Sequence, residues 1–414
     1  MNQIDTHAHP TSAARNYGAL ALLLVALHLT AGATVSLPTW RAKQDNNAAM
    51  EEALAWRSGR LDLARTRYEV ARVEDKYYNV VGLAFTLIAF AGTSLSQLFG
   101  GPVGELYPPL FVAIVALPLP LIAYWAFGEV TRSRERSAVW TFYLIAGTCL
   151  LPVLAICGSG SIYYINHVLA VTGLLLLGGD LLGSQKGWPA ALGLLLAAWS
   201  RQTTAIYAIP FVWLFATRSS ITVNHAVKSS WTKWLALSTV AILFIVPGIL
   251  NYLKFGNPLM TGYRLLYEGR TDAIAQRARE CFFGLANVPM QAWAMNVQWP
   301  HLDIRGGGLF LDVAGTQGVC LWLTNPLLIA TGLTIKRWWR DSAARALMLT
   351  TLVIAFADMC YHTTGSQDAG YYRYALDYIP IWLLVMAKCL DRPSERYCVM
   401  LGIAYSCLYF NVLL

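Results

Sequence analysis

Charge is what this chain has least of. Of its 414 residues, 31 are Lys or Arg and 23 are Asp or Glu, so 13% are charged, against about 25% in an average soluble protein. With 56% apolar residues, against about 45–50% in an average soluble protein, both deviations point to a polytopic membrane protein. Short catalytic signatures are lacking as well. The sequence has no GxxxxGK[ST], HExxH, GxSxG or CxxC, and no N-x-[ST] acceptor. These absences argue against an ATP-driven pump with its own nucleotide site, a zinc protease and an α/β hydrolase. The eight Cys fall singly, mostly within apolar runs (Cys149, Cys157, Cys320, Cys360, Cys407). They read as small buried hydrophobes rather than disulfides or metal ligands. No repeat or low-complexity stretch is evident.

What the chain does have is a succession of apolar segments, at 17–38, 79–99, 107–127, 138–156, 162–182, 188–217, 232–253, 316–335, 343–361, 371–388 and 397–414. Each approaches the roughly 17–25 residues that a bilayer-spanning helix needs. The expected architecture is an all-α polytopic membrane protein forming one domain over 1–414, with about 11 transmembrane helices (range about 10–13). The first segment follows Arg15 and contains Ala31-Gly32-Ala33, so it reads either as an uncleaved span or as a signal peptide. The 15 Trp and 21 Tyr gather at segment ends, as interfacial belts do. The net charge of +8 sits in short loops, where it sets orientation and meets anionic lipid; no nucleic-acid partner is implied.

Two long polar stretches, 39–78 and 254–315, interrupt the pattern. Loops carrying Arg218, Lys228 and Lys233, then Lys336, Arg337, Arg340 and Arg345, then Lys388, Arg392 and Arg396 read as cytoplasmic by the positive-inside rule. Both polar stretches, and the turn at 362–370, are then external. Arg132, Arg134 and Arg136 are discordant. They are external if every segment crosses once, and cytoplasmic if 79–99 only dips in and 188–217 is two short helices hinged at Arg201.

The first polar stretch holds seven of the 23 acidic residues: Asp45, Glu51, Glu52, Asp62, Glu69, Glu74 and Asp75. The spacing of Ala49, Met50, Ala53 and Trp56 predicts a short amphipathic helix over 46–56, lying in the membrane interface. Asp45 either caps that helix or offers an acid at the bilayer surface, and Glu52 falls two turns on. Asp62, Glu69 and Asp75 read as solvated partners of nearby Arg and Lys. Arg201 interrupts an apolar run, where a cation costs about 2.5–3.5 kcal/mol; it is a functional residue, a snorkelling residue or a hinge. Arg373 and Asp377 are either an i,i+4 ion pair or, for Arg373, a contact to an anionic headgroup beside Tyr371, Tyr372 and Tyr374. His167 and Asp180 read as helix-packing and helix-end residues. His301, Asp303 and Asp312 lack a metal-ligand spacing.

Several stretches together resemble the GT-C superfamily of integral membrane glycosyltransferases, in the bacterial branch related to protein O-mannosyltransferases and the lipid A aminoarabinose transferase. They are Asp45-Asn46, Ser58-Gly59-Arg60-Leu61-Asp62-Leu63, Asp75-Lys76-Tyr77-Tyr78, Ala197-Ala198-Trp199-Ser200-Arg201-Gln202, Phe255-Gly256-Asn257-Pro258-Leu259 with Thr261-Gly262-Tyr263, and Gly370 to Pro380. The family commonly has Asp-Glu where this chain has Asp45-Asn46, and His-Pro-Pro where it has Asn79-Val80-Val81. The resemblance implies a GT-C-like fold in a bacterial inner (plasma) membrane, with the active site on the external face and short helices in both loops. It implies an inverting transferase that moves a sugar from a polyprenyl-phosphate donor to a lipid, glycan or protein acceptor hydroxyl. Asp45 matches the family's general base, with Glu52 in reserve. Arg201 and Arg373 suit the donor phosphate, and Tyr78, Tyr263 and Asp377 are the remaining substrate-binding expectations. Some members use a divalent cation, Mg or Mn, and others none. Two readings compete: a transporter or flippase of lipid-linked or small polar substrates, and a catalytically inactive GT-C-like partner.

Overall fold

Away from water, an apolar chain satisfies its backbone N–H and C=O groups most simply as helix. The computed structural model describes residues 48–64, 70–98, 115–148, 150, 153–154, 162–218, 226–268, 270–299, 301–305, 308–312, 320–365 and 372–413. Helices run Ala48–Arg57, Leu83–Leu98, Pro118–Thr131, Arg134–Ala146, Ile162–Gly179, Trp188–Ser200, Ala208–Arg218, Ala226–Phe255, Ala273–Glu280, Val288–Asn296, Leu321–Thr324, Thr331–Arg340, Ser342–Met359, Ile379–Cys389 and Arg392–Leu413. The expectation of an all-helical chain is met except for two antiparallel hairpins in the polar stretches. Val70–Val73 pairs with Lys76–Asn79, and His301–Arg305 with Gly308–Asp312. Asp45, the 17–38 segment, Glu69 and Tyr371 lie outside the described residues.

Three helices are long and apolar enough to cross a membrane: Tyr164–Ser184, Lys233–Phe255 and Ser342–Met359. Leu83–Leu95, Trp188–Ser200 and Ile379–Cys389 are apolar but shorter. A helix of 13 residues such as Trp188–Ser200 covers about 20 Å, against about 30 Å of hydrocarbon. The structure therefore supports a helical membrane protein, while eleven full crossings are more than its described helices show.

The two most apolar spans take opposite places. Tyr164–Ser184 is 94% buried and Lys233–Phe255 only 17%. The first is the axis of the bundle, and the second presents Leu237, Phe244, Ile245 and Ile249 outward. Trp231 and Trp234 are exposed at one end of that outer helix and Tyr252 at the other. Their separation along the axis is about 30 Å, which matches an apolar band between two aromatic belts.

Small residues let the axial helix pack closely. A Cβ on Gly173 would stand 2.5 Å from the carbonyl oxygen of Gly193 and 2.6 Å from the amide of Ala197. Gly179 and Gly183 meet Ala126 and Glu129 in the same way, a small-residue packing motif at this helix end. Asp180 is buried there, accepting hydrogen bonds from Ser184 Oγ at 2.5 Å and from the amides of Lys186 and Gly187 at 2.8 Å.

The loops sort into two ends. Arg136 Nε donates to Glu395 at 2.6 Å, and its Nη2 to the carbonyls of Ala387 and Leu390 at 2.6 and 3.1 Å. Arg337 bonds the Cys389 carbonyl at 2.7 Å, and Lys388 pairs with Asp341 at 2.5 Å. Arg132 reaches the Gly183 carbonyl at 3.3 Å. The discordant Arg132–Arg136 loop thus shares one end with the other basic loops. The chain supplies the reason at Arg201. Trp188–Ser200 stops there, Gln202–Tyr207 is a 3-10 helix, and Ala208–Arg218 returns to bring Phe215 beside Gly187. The hinge at Arg201 that the second crossing scheme expects is present.

Replacing Gly173 by Ala is expected to cost about 1–3 kcal/mol by overpacking. Gly248→Ala, whose Cβ would meet only Pro258 at 3.8 Å, is expected to cost nothing. Heating both variants in detergent and following the surviving monodisperse fraction by size exclusion checks the contrast.

Candidate functional site

At the end of the bundle opposite the basic loops, two buried ionic centres flank a cleft. The first forms where the Trp188–Ser200 helix breaks. Arg201 takes an extended backbone (φ −138°, ψ 107°), and its side chain turns to Asp377, 176 residues away. Nε lies 3.0 and 3.1 Å from the two carboxylate oxygens, and Nη2 lies 3.0 Å from Oδ2. Thr203 Oγ1 donates to Oδ2 at 2.6 Å. The guanidinium also stands 4.7 Å from the Tyr374 ring centroid. Asp377 is wholly buried, so each charge depends on the other.

This corrects one sequence expectation. Arg373 and Asp377 are not an i,i+4 pair. The segment Arg373–Asp377 is a 3-10 helix, with about three residues per turn, so positions four apart point in different directions. Arg373 instead donates to Tyr164 Oη at 2.8 Å and lies 5.0 and 5.6 Å from the Tyr164 and Tyr374 rings. It is buried one layer behind the cleft rather than on its wall.

The second centre is built on Glu52. The Ala48–Arg57 helix forms as the spacing predicts, with Ala49, Met50 and Ala53 buried. It does not lie free in the interface: it packs on Leu83–Leu98, with Trp56 and Phe90 rings 6.3 Å apart. That packing buries Glu52, whose Oε2 accepts from Asn79 Nδ2 at 2.7 Å and from Thr86 Oγ1 at 2.8 Å. Lys254, at the end of the outer membrane helix, forms an ion pair with Oε1 and donates to the Asn79 carbonyl at 3.0 Å. Four chain segments meet on one carboxylate.

Between the centres lies a cavity of about 380 Å³, lined by Glu52, Asn79, Ala198, Trp199, Leu243, Pro247, Lys254 and Tyr263 among others. A smaller one of about 180 Å³ is lined by Arg201, Thr203, Phe282, Phe283, Asp358, Tyr361 and Tyr374 among others. Ser200, Gln202, Thr261 and Tyr263 line both, making two lobes of one cleft. The larger lobe has apolar walls from the outer helix; the smaller is aromatic and charged. Gly262 makes the turn into Tyr263 possible: its φ is +76°, and a Cβ there would stand 2.7 Å from Val80. Tyr78 is buried edge-on to Phe255 at 5.7 Å and lines neither lobe.

Glu52, Arg201 and Tyr263 therefore reach the cleft, Asp377 holds Arg201 from behind, and Tyr78 and Arg373 support it. Asp45 lies outside the described residues. The expected surface pairs of the first loop are present at Arg60–Asp62 (3.7 Å) and Arg72–Asp75 (3.4 Å). Sequence reasoning missed Lys254, Asn79, His362 and Asp358. Asp358 is 2% exposed, and its Oδ2 has no hydrogen-bond partner among the described residues. A carboxyl in the last turn of an apolar helix was the available signal for it. His362 is fully buried between aromatic rings, 4.9 Å from Phe282 and 4.3 Å from Tyr361. Its Nδ1 donates to the Phe282 carbonyl at 3.3 Å. Burial drives its pKa down to about 4; the Phe282 bond opposes this and Arg277 adds to it. Among the described residues, no three His, Cys, Asp or Glu side chains gather to hold a metal ion.

Two outcomes are expected. Lys254→Met leaves Glu52 charged and buried, and should cost about 3–5 kcal/mol; adding Glu52→Gln should restore most of that loss. Thermal melts of the single and double variants measure it. For His362, the unfolded chain takes up a proton near pH 6.5 while the folded chain resists until about pH 4. Stability is therefore complete above about pH 6.5 and falls as pH drops towards 4, by about 3 kcal/mol for this one group. Melting midpoints at pH 7 and pH 4.5 should converge in His362→Phe relative to wild type.

The chain matches no family model, no curated protein and no solved structure.

Proposed function

We propose that this chain is an inverting glycosyltransferase that takes a sugar from a polyprenyl-phosphate donor and attaches it to an acceptor hydroxyl. The observation that carries the reading is the two-lobed cleft. Its larger lobe is walled by the lipid-facing helix, where an isoprenoid chain can enter from the membrane plane. Its smaller lobe sets a cation, Arg201, among aromatic and hydroxyl side chains suited to a sugar and its phosphate. The basic loops lie at the far end, which by the positive-inside rule supports an external face for the cleft. The membrane itself provides proximity, because donor and enzyme share a plane.

In this reading Asp45 takes the acceptor proton, the acceptor oxygen attacks C1 from the face opposite the leaving group, and the C1–O bond to the lipid phosphate breaks. Arg201, held by Asp377 and Thr203, meets the departing phosphate. Charge-assisted hydrogen bonds of this kind contribute about 1.5–3 kcal/mol each. Glu52 is a poor alternative base, because both of its oxygens are already engaged. Its part is to hold the first loop against the cleft.

A second reading has its own observation. A membrane helix broken at a buried charge, as at Arg201, is also how transporters build substrate sites. Purified protein in lipid, given a panel of polyprenyl-phosphate sugars and a membrane extract as acceptor source, separates the two. Consumption of one donor, lowered about 10²–10⁴-fold by Asp45→Asn, is the expected outcome. No consumption of any donor, together with uptake into proteoliposomes, would replace the transferase with the transporter.

A further inference from the structure

The outer helix Ala226–Phe255 carries Pro247 in its interior. Proline has no N–H, so the carbonyl four residues earlier, that of Leu243, loses its helical partner. Trp199 supplies a replacement: its Nε1 donates to the Leu243 carbonyl at 3.3 Å. This bond ties the outer helix to the Trp188–Ser200 helix just before the break at Arg201. On either side of it the outer helix is held differently. Before the proline, Ala236, Thr239 and Leu243 are buried; beyond it, no residue of Gly248–Phe255 is. The polar ties of that last segment gather at its far end, where Lys254 pairs with Glu52 and donates to the Asn79 carbonyl at 3.0 Å. Phe255 adds an edge contact to Tyr78 at 5.7 Å. Gly248, next to the proline, has room around it: a Cβ there would meet only Pro258, at 3.8 Å. The same segment is a wall of the larger lobe, which Pro247, Gly248, Asn251 and Lys254 line together with Ala198 and Trp199.

We infer that Gly248–Phe255 is a lateral gate to the larger lobe, turning about Pro247 against the Trp199–Leu243 pivot and latched by Lys254 on Glu52 and Asn79. The inference rests on reading the larger lobe as the place where a lipid chain enters, and it adds which segment moves and what releases it. Helices bend at an interior proline, and a hinge needs only a few such positions. An anionic headgroup arriving in the lobe competes with Glu52 for Lys254, so the ligand that needs the gate open is the one that unlatches it. A further bend of about 20° at Pro247 displaces Leu253, about 9 Å along the axis, by about 3 Å. The helix before the proline stays in place.

The test is a distance, not turnover, so its failure is distinct from a failure of the transferase reading. Spin labels are attached through genetically encoded ketone residues at two exposed positions, Ser58 after the Glu52 helix and Leu253 on the gate. A second pair joins Ser58 to the exposed Leu237, before the proline. Distances are recorded in nanodiscs, with and without decyl phosphate, for wild type, Glu52→Gln with Lys254→Met, and Pro247→Ala. Removing both latch residues, which leaves no lone charge behind, is expected to lengthen Ser58–Leu253 by about 3 Å and to leave Ser58–Leu237 unchanged. Decyl phosphate is expected to add the same longer population to wild type. Pro247→Ala, which returns a helical donor to the Leu243 carbonyl, is expected to lose it. An unlatched variant with the wild-type distance overturns the gate, as does an equal displacement of Leu237, which would mean that the helix moves as a whole. Opening of the unlatched variant without a response of wild type to decyl phosphate supports the gate and counts against the transferase reading alone. Should the double variant fail to fold, wild type and Pro247→Ala with decyl phosphate read the same hinge. Loss of the longer population in Pro247→Ala supports it; a response equal in both, or absent from wild type, sinks it.

Discussion

The pair between Arg201 and Asp377 is the constraint on which the rest of the structure depends. Neither charge is tolerable at membrane depth alone, and a broken buried pair leaves a cost of several kcal/mol. The chain meets this by bringing together residues 176 positions apart. That requirement ends the Trp188–Ser200 helix at Ser200, sends Gln202–Arg218 back toward the basic end, and fixes the 3-10 turn that begins the final helical pair. The cleft opens where these events coincide. Its position follows from where the two charges had to meet.

The Glu52 centre solves a similar problem differently. Here one carboxylate ties the Ala48–Arg57 helix, the end of the Lys76–Asn79 strand, the Leu83–Leu98 helix and the tip of the Ala226–Phe255 helix. Asn79 is the economical part of this arrangement. Its amide donates to Glu52 while its Oδ1 accepts from the Val81 amide at 3.0 Å and its own carbonyl accepts from Lys254. The described part of the polar first loop is thereby attached to Lys233–Phe255, the most exposed of the three described candidate spans. Substrate entering along that helix would meet the first loop at a fixed distance from Arg201.

Much of this was legible in the sequence, and the failures have physical causes. Arg201 stood out because a cation interrupting an apolar run has few bland explanations. The amphipathic helix at Ala48–Arg57 followed from its spacing, but its partner did not: periodicity tells that a face is buried, not whether lipid or protein buries it. Asp377 was visible, yet its partner was misassigned, because i,i+4 reasoning presumes α geometry and this segment is 3-10. Lys254 read as the first residue of a loop, since hydropathy ends a helix where charge begins, whereas the helix continues to Phe255. Of the expected crossings, three described helices are long and apolar enough to span. Hydropathy also merges an apolar stretch that breaks, as 188–217 does, into one segment.

The two ionic centres share one feature that bears on function. Glu52 is satisfied on both oxygens, which makes it a strut. Asp377 is likewise fully engaged. Asp358 lies in the same cleft at the last turn of Ser342–Met359, and among the described residues no donor meets its Oδ2. Arg201 and Asp377 both act on it electrostatically, so Asp358 belongs to the Arg201 centre rather than standing as a lone charge. Each of the two cations that line the cleft is thus matched to a carboxylate from a distant segment, Arg201 to Asp377 and Lys254 to Glu52. Breaking either pair would leave an uncompensated charge and free the segment it holds, so the charges of the cleft are what fix its walls in place.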